Sequence, residues 1–309
     1  MRPPKSVAKS ILKRIPGLGA IDRWICRLYT GWPRREMYQR GNFYSPLPDL
    51  DVVEKDGPSI FKHDLDPGPD LDLGADGQEA LLGEFARFYD DFPFKEESSR
   101  GSRFHYRQKY FKFGDALILY SMLRRFEPRS VLEVGSGYSS ALMLDVRALF
   151  LDRSTGFTFI EPYPDRLEPL LTDEDRKTVR LVYEPVQRVA LETFGALQKG
   201  DILFVDSSHV SKVGSDLNFI FFEVLPVLNS GVIVHFHDIF WPFEYPRQWI
   251  LDGRAWNEAY LLRAFLQYNR EFEVLFFNSF AARRFRPFFE ARMPLFLQNP
   301  GGSFWMRKK

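Results

Sequence analysis

Cysteine is nearly missing from this chain: Cys26 is alone among 309 residues. An internal disulfide is thereby excluded, and a reducing compartment fits. No apolar run approaches the ~18–20 residues that span a bilayer. The N-terminus is basic but lacks the uninterrupted apolar stretch and small-residue cleavage site of a secretory signal, so a cytoplasmic location is expected. Charge of one sign is missing as well. Lys and Arg number 42 against 41 Asp and Glu, a formal net charge of +1, and no global field points to nucleic acid as a partner. Internal repeats and low-complexity segments are absent. What remains is a chain long enough to bury a full core, either as one large domain or as one domain with extensions.

The balanced charge is unevenly placed. Residues 1–40 hold ten Lys or Arg against Asp22 and Glu36. Ile21, Trp24, Ile25 and Leu28 there follow the spacing of an amphipathic helix. Such a helix can dock on the domain or on a second subunit, giving a homodimer, or lie peripherally on an anionic membrane. Pro16, Gly17 and Gly19 break the segment into short pieces, which favours docking. Residues 41–75, with Pro46, Pro48, Pro58, Pro67 and Pro69, read as a loop-rich strap. Helices are expected over residues 77–92 and 115–125. The division expected is an extension over 1–110 and a ligand-binding domain over 111–309.

From residue 130 onward, strands and helices alternate. Apolar strands are expected at 130–134, 157–160, 179–183, 201–205 and 232–236, and two more at 272–277 and 303–307. Helices are expected near 139–149, 165–171, 189–197, 214–225 and 258–268. Strands apolar on both faces belong to a parallel sheet covered by helices.

The first strand runs into Val131-Leu-Glu-Val-Gly-Ser-Gly-Tyr-Ser-Ser140. Gly135 and Gly137 allow a sharp turn and close approach to a ligand, and Tyr138 and Ser139 open the next helix. The dinucleotide fingerprint would require glycine where Ser140 stands. Glu133, inside the strand, would repel a pyrophosphate but suit a cationic ligand. The second strand ends in Glu161, where such sheets hold ribose hydroxyls.

Ligands of open α/β sheets bind outside the carboxyl ends of the strands. Those ends are polar here: Gly135, Glu161, Glu184-Pro-Val-Gln187, Asp206-Ser-Ser-His209 and His235-Phe-His-Asp238. Asp206, His237 and Asp238 offer two carboxylates and an imidazole to a divalent cation, with Mg, Mn, Fe and Zn all open. Adjacent residues 237 and 238 point to opposite faces of a regular strand, so both serve only if the strand has already ended. His235 reads as a core histidine. His209 is the candidate to take a proton from a hydroxyl, with a helix-cap or structural role as the alternative.

The Glu-x-Gly-x-Gly turn resembles motif I of the class I S-adenosylmethionine-dependent methyltransferases. That resemblance implies a Rossmann-like α/β sheet of five parallel strands plus a C-terminal antiparallel pair. Helices would cover both faces, and a helical and loop extension would precede them. Asp-x-x-His after the fourth strand and an acidic end to the fifth are similar to the metal-dependent sugar and macrolide O-methyltransferases. This chain departs from them at His237, where a carboxylate is usual. Phe43-Tyr-Ser-Pro-Leu-Pro-Asp49, Phe113-Gly-Asp-Ala, His235-Phe-His-Asp-Ile-Phe-Trp-Pro and Gly301-Gly-Ser-Phe-Trp-Met-Arg also resemble a family of bacterial methyltransferase-like proteins.

The resemblance implies S-adenosylmethionine as cofactor, held by Glu133, Gly135, Gly137, Tyr138, Ser139, Glu161, Gln187 and Asp206. Glu133 would lie near its ammonium, Glu161 at its ribose and Gln187 at its adenine. Catalysis would fall to His209 as base with Asp206, and metal ligation to Asp206, His237 and Asp238. The acceptor expected is a hydroxyl of a saccharide or small metabolite, with Tyr44, Tyr106, Trp241, Phe243 and Tyr245 as candidates for its pocket. Two other readings stay open: a non-haem metal-dependent oxygenase using His237, Asp238 and His209, and a non-catalytic scaffold on the same fold.

Overall fold

The computed structural model describes residues 37–61, 68–97 and 102–309. The expected N-terminal amphipathic helix lies outside them. Two compact units divide the chain, Met1–Gly57 and Pro58–Lys309. The expected boundary near residue 110 therefore falls inside the second unit. In the first, helix α1 (Leu50–Lys55) begins at Asp49, whose carboxylate accepts the backbone N–H of Asp51 at 3.0 Å. Part of the expected strap is thus helical, because Asp49 meets the amides that a helix start leaves free.

The second unit starts with α2 (Ala75–Tyr89) and α3 (Phe113–Phe126), then alternates. The order is β1 (Ser130–Val134), α4 (Tyr138–Phe150), β2 (Gly156–Ile160), α5 (Asp173–Thr178), β3 (Val179–Val182), α6 (Leu191–Gly195) and β4 (Ile202–Val205). It continues with α7 (Asp216–Phe219), β5 (Ile233–Phe236), α8 (Arg247–Leu251), α9 (Glu258–Leu266) and β6 (Phe272–Phe277). Helices α10 (Asn278–Arg284) and α11 (Arg286–Arg292) then precede β7 (Phe304–Lys308).

The seven strands form one sheet in the order β3-β2-β1-β4-β5-β7-β6. The first five run parallel, and β7 enters antiparallel between β5 and β6. This is the expected class I methyltransferase sheet. Its central strands are apolar on both faces because helices cover both. Helix α3 is buried from Gly114 to Leu123, with Leu117, Leu119 and Met122 fully enclosed. Each such side chain contributes about 1.5–3 kcal/mol of burial.

Helices α1, α5, α8, α10 and α11 escaped the sequence reading. Helix α5 carries a legible signal, since Thr172 and Asp175 cap each other reciprocally at 2.8 and 3.2 Å. Helix α10 follows β6 directly and α11 follows α10, and both lack side-chain caps. The expected helix over 214–225 is interrupted by a π-helical turn at Ile220–Val224.

Candidate active site

Parallel strands place all their carboxyl ends on one edge of the sheet. The ladder continues one residue beyond each strand. Gly135 N–H donates to Ile160 at 3.0 Å, Asp206 N–H to Val134 at 2.9 Å, and His237 N–H to Val205 at 3.0 Å. Four segments distant in sequence, the ends of β1, β2, β4 and β5, are thereby set side by side. They open onto a cavity of about 860 Å³, within the usual range for small-molecule sites, while the expected Glu184–Gln187 end of β3 stays outside it.

One half of this cavity is the glycine turn. Gly135 has φ +85°, and a Cβ there would lie 1.8 Å from the carbonyl oxygen of Asp206. Only glycine fits so close to the neighbouring strand. Ser139 Oγ donates to Glu133 Oε1 at 2.6 Å, and Ser140 Oγ donates to Oε2. Ser140 Oγ in turn accepts Gly137 N–H at 2.9 Å. Burial pushes the Glu133 carboxyl up to about 8, although the hydroxyls of Ser139 and Ser140 pull it down. Glu161 accepts Ser136 N–H at 2.9 Å and Tyr163 N–H at 2.7 Å. The Ser136 hydroxyl lines the cavity, buried and without a partner.

The other half is ionisable. His209 Nδ1 lies 2.7 Å from Glu258 Oε2, and its Nε2 lies 3.4 Å from Asp206 and 3.8 Å from Asp238. Glu258, only 1% exposed, opens α9, and its backbone N–H donates to the His209 carbonyl at 3.3 Å. Burial alone would lower the His209 pKa. Hydrogen bonds and charge from Asp206 and Glu258 outweigh it and hold the imidazole well above its usual value. Burial likewise opposes ionisation of Asp206, but His237 and His209 keep that carboxyl low. His209 and Asp238 both adopt left-handed backbone conformations, at φ 59° and 57°. Non-glycine residues held there cost roughly 1–3 kcal/mol and cluster at functional sites.

Asp115, at the start of α3, closes the floor. It accepts Ser303 N–H at 2.9 Å and Ser303 Oγ–H at 2.7 Å, and burial pushes it up to about 6. A Cβ on Gly301 would overlap its carboxylate at 1.9 Å, which explains the glycine before β7.

Of the residues singled out in the sequence, Gly135, Gly137, Tyr138, Ser139, Glu161, Asp206, His209, His237 and Asp238 line the cavity. Two expected residues do not. Glu133 is fully buried and reaches the wall only through Ser139. Gln187 is exposed and donates from Nε2 to the Gly214 carbonyl at 2.9 Å, away from the wall. The expected metal set gains no support. Among the described residues, no three His, Cys, Asp or Glu side chains form a metal-holding group. Strand β5 ends at Phe236, so residues 237 and 238 both face the cavity, with His237 Nε2 3.7 Å from Asp238 Oδ1 and the His237 ring 5.2 Å from that of Phe111. The oxygenase alternative rested on that set. His235 is a core residue, stacked 3.8 Å from Phe204 and bonded to Ser303 Oγ at 3.0 Å.

The expected aromatic pocket is also revised. Tyr106, Trp241, Phe243 and Tyr245 are buried in packing, and Tyr44 belongs to the first unit. The wall instead carries Tyr110, Phe240, Trp249 and Trp256. Glu258, Asp115, Arg254 and Trp256 were missed. A single chain carries no local sign that residue 258 meets residue 209.

A family described as a methyltransferase domain matches residues 132–239. An uncharacterized protein of Archaeoglobus fulgidus is 28% identical over 171 residues, 54% of this chain and 76% of that protein. Among solved structures, a Podospora anserina methyltransferase bound to S-adenosylhomocysteine is 17% identical, with a TM-score of 0.40. That alignment covers 89% of this chain and all of the other. An O-methyltransferase of Bacillus cereus with the same ligand is 12% identical over 84% of this chain and 97% of the other, with a TM-score of 0.37. The matched methyltransferase domain at residues 132–239 runs from β1 through β5 of the sheet described above, and so includes the strand ends that line the cavity.

Proposed function

We propose that this chain is an O-methyltransferase that transfers the methyl group of S-adenosylmethionine to a hydroxyl of a small molecule or saccharide. The observation that carries the reading is the His209 imidazole. It is fixed by Glu258 through one nitrogen and turned through the other toward the cavity that the glycine turn also lines.

The residues present suit that cofactor. The partnerless Ser136 hydroxyl, the Glu161 carboxylate and the close backbone at Gly135 and Gly137 face the same space. Each Glu161 oxygen takes one backbone N–H and keeps a lone pair for a ribose hydroxyl. Glu133 acts through Ser139 by holding the turn. When bound, S-adenosylmethionine supplies an electrophilic methyl group on a sulfonium, so the protein's main task is alignment.

His209 performs the proton step. Its Nδ1–H stays on Glu258, which fixes the tautomer, and Nε2 accepts the proton of the acceptor hydroxyl. The resting imidazolium must first lose its Nε2 proton. Activity is therefore expected to fall as pH drops through a value above the ordinary histidine range. The proposal assigns no step to a metal.

Calorimetric titration with S-adenosylmethionine and S-adenosylhomocysteine tests the cofactor. Micromolar affinity, about 8 kcal/mol, weakened tenfold or more by Glu161→Ala, is expected. Absence of binding to the wild-type protein would remove the reading.

A further inference from the structure

Four cations line the cavity: Lys109, Lys112, Arg166 and Arg254. Among the described residues none of them forms an ion pair with a carboxylate. The acids on the same wall are already engaged. Glu161 is held by two backbone amides, Asp115 by Ser303 and Asn278, and Asp206 and Asp238 by the histidines. Positive charge is thus left over for a ligand.

Position separates the four. Arg166 stands on the glycine-turn side, with its Cδ 2.9 Å from where a Cβ on Gly137 would be. Its guanidinium lies 3.8 Å over the Tyr110 ring. Arg254 stands on the His209 side. Its guanidinium lies 4.1 Å over Trp249 and 5.1 Å over Trp256, and Trp256 packs 4.3 Å from the His209 ring. One indole ring therefore stands between this cation and the proposed base.

The loop that carries Arg254 is fixed. Arg254 N–H donates to the Trp249 carbonyl at 3.0 Å, and Asn257 N–H donates to the His209 carbonyl at 3.1 Å. Stacking on indole orients a guanidinium and leaves its N–H edge free for bidentate contact with a planar or tetrahedral anion. Arg254 also remains exposed; its charge reaches the buried Asp238 carboxyl without forming an ion pair with it.

We infer that the acceptor carries an anionic group (carboxylate, phosphate or sulfate) that Arg254 binds while a hydroxyl of the same molecule faces His209 Nε2. Arg254 is then the residue that selects acidic over neutral acceptors. The inference deepens the methyltransferase reading and rests on it for the identity of the hydroxyl.

Calorimetry on the full chain saturated with S-adenosylhomocysteine tests it, using inorganic sulfate, inorganic phosphate, and 4-hydroxybenzoate against its neutral counterpart 4-hydroxybenzamide. At least one anion should bind the wild type, and the benzoate about tenfold or more tighter than the benzamide, a preference of ~1.4 kcal/mol. Arg254→Gln should abolish both effects, Arg254→Lys should keep part of them, and both variants should bind S-adenosylhomocysteine as the wild type does. Failure of all three anions to bind overturns the inference. So does anion binding that survives Arg254→Gln, including binding that Arg166→Gln removes instead, which would assign the anion to the cofactor half. Loss of S-adenosylhomocysteine binding alone, with Arg254-dependent anion binding intact, would sink the methyltransferase reading and leave the anion site standing.

Discussion

The two halves of the cavity are built by opposite means. Along β1 and β2 the wall is backbone amides and hydroxyls beside the Glu161 carboxylate and Arg166, and its one buried acid, Glu133, is driven toward the neutral form. Along β4 and β5 the wall is charged, and the imidazole of His209 is driven toward the cation. Burial disfavours charge in both places. The difference lies in partners. Glu133 meets only serine hydroxyls, whereas His209 sits between Asp206 and Glu258. A site that must cradle a ligand uses fixed dipoles, and a site that must move a proton uses coupled ionisable groups.

The sharpest break of this contrast is Gly135→Ala. The new methyl group would collide with the Asp206 carbonyl that joins the two halves. Strain in the left-handed region and overpacking together should cost about 3–5 kcal/mol. Chemical denaturation reads this directly, and a midpoint equal to the wild type's would show that the two strands are not so tightly apposed.

Next comes Glu258→Gln, which leaves the imidazole shape and its surroundings nearly intact. The His209 pKa should fall toward the free-imidazole range, followed by NMR titration of the ring protons. The acid-side limb of methyl transfer should move the same way. An unshifted titration would mean that Asp206 alone holds the charge.

A smaller effect tests the neutral half. The folded pKa of Glu133 is raised from 4.5 to about 8, so the folded state binds its proton more tightly than the unfolded state. Stability from this group is full below pH 4.5 and is lost as pH rises to about 8. Glu133→Gln should therefore flatten the decline of melting temperature with pH across that window. His209 declines in the same direction, losing its stabilisation above the ordinary histidine range, so the variant should flatten the curve only in part. A slope identical to the wild type's would mean that Glu133 is already ionised in the fold. The smallest effect expected is that of Gln187→Ala. With its amide on Gly214, removal should leave S-adenosylhomocysteine affinity unchanged within error, and a tenfold loss would return Gln187 to the site.

The comparison also explains what could be read in advance. The glycine-turn half is local. Strand, turn and helix start fall within residues 131–140, and Glu161 follows one segment later. Hydrophobic runs likewise placed β1 and β6 at their observed bounds. Where the reading failed locally, a local preference had been overridden. The segment after β6 turns straight into α10, and Tyr245, read as a pocket aromatic, is buried with its hydroxyl accepting Ala259 N–H at 3.0 Å. Asp206 and Asp238 were legible as strand-end carboxylates but not as the partners of one imidazole.

By itself, then, the sequence determined the alternation of strands and helices, the glycine turn and the polar strand ends. Each of these follows from residues within a few positions of one another. Only the tertiary structure decided that Glu258 grips His209, that Asp115 lies beneath Gly301, and that Trp256 stands between His209 and Arg254. Those contacts join residues that are distant along the chain. Their energies depend on burial and charge that exist only once the sheet has brought its carboxyl ends together.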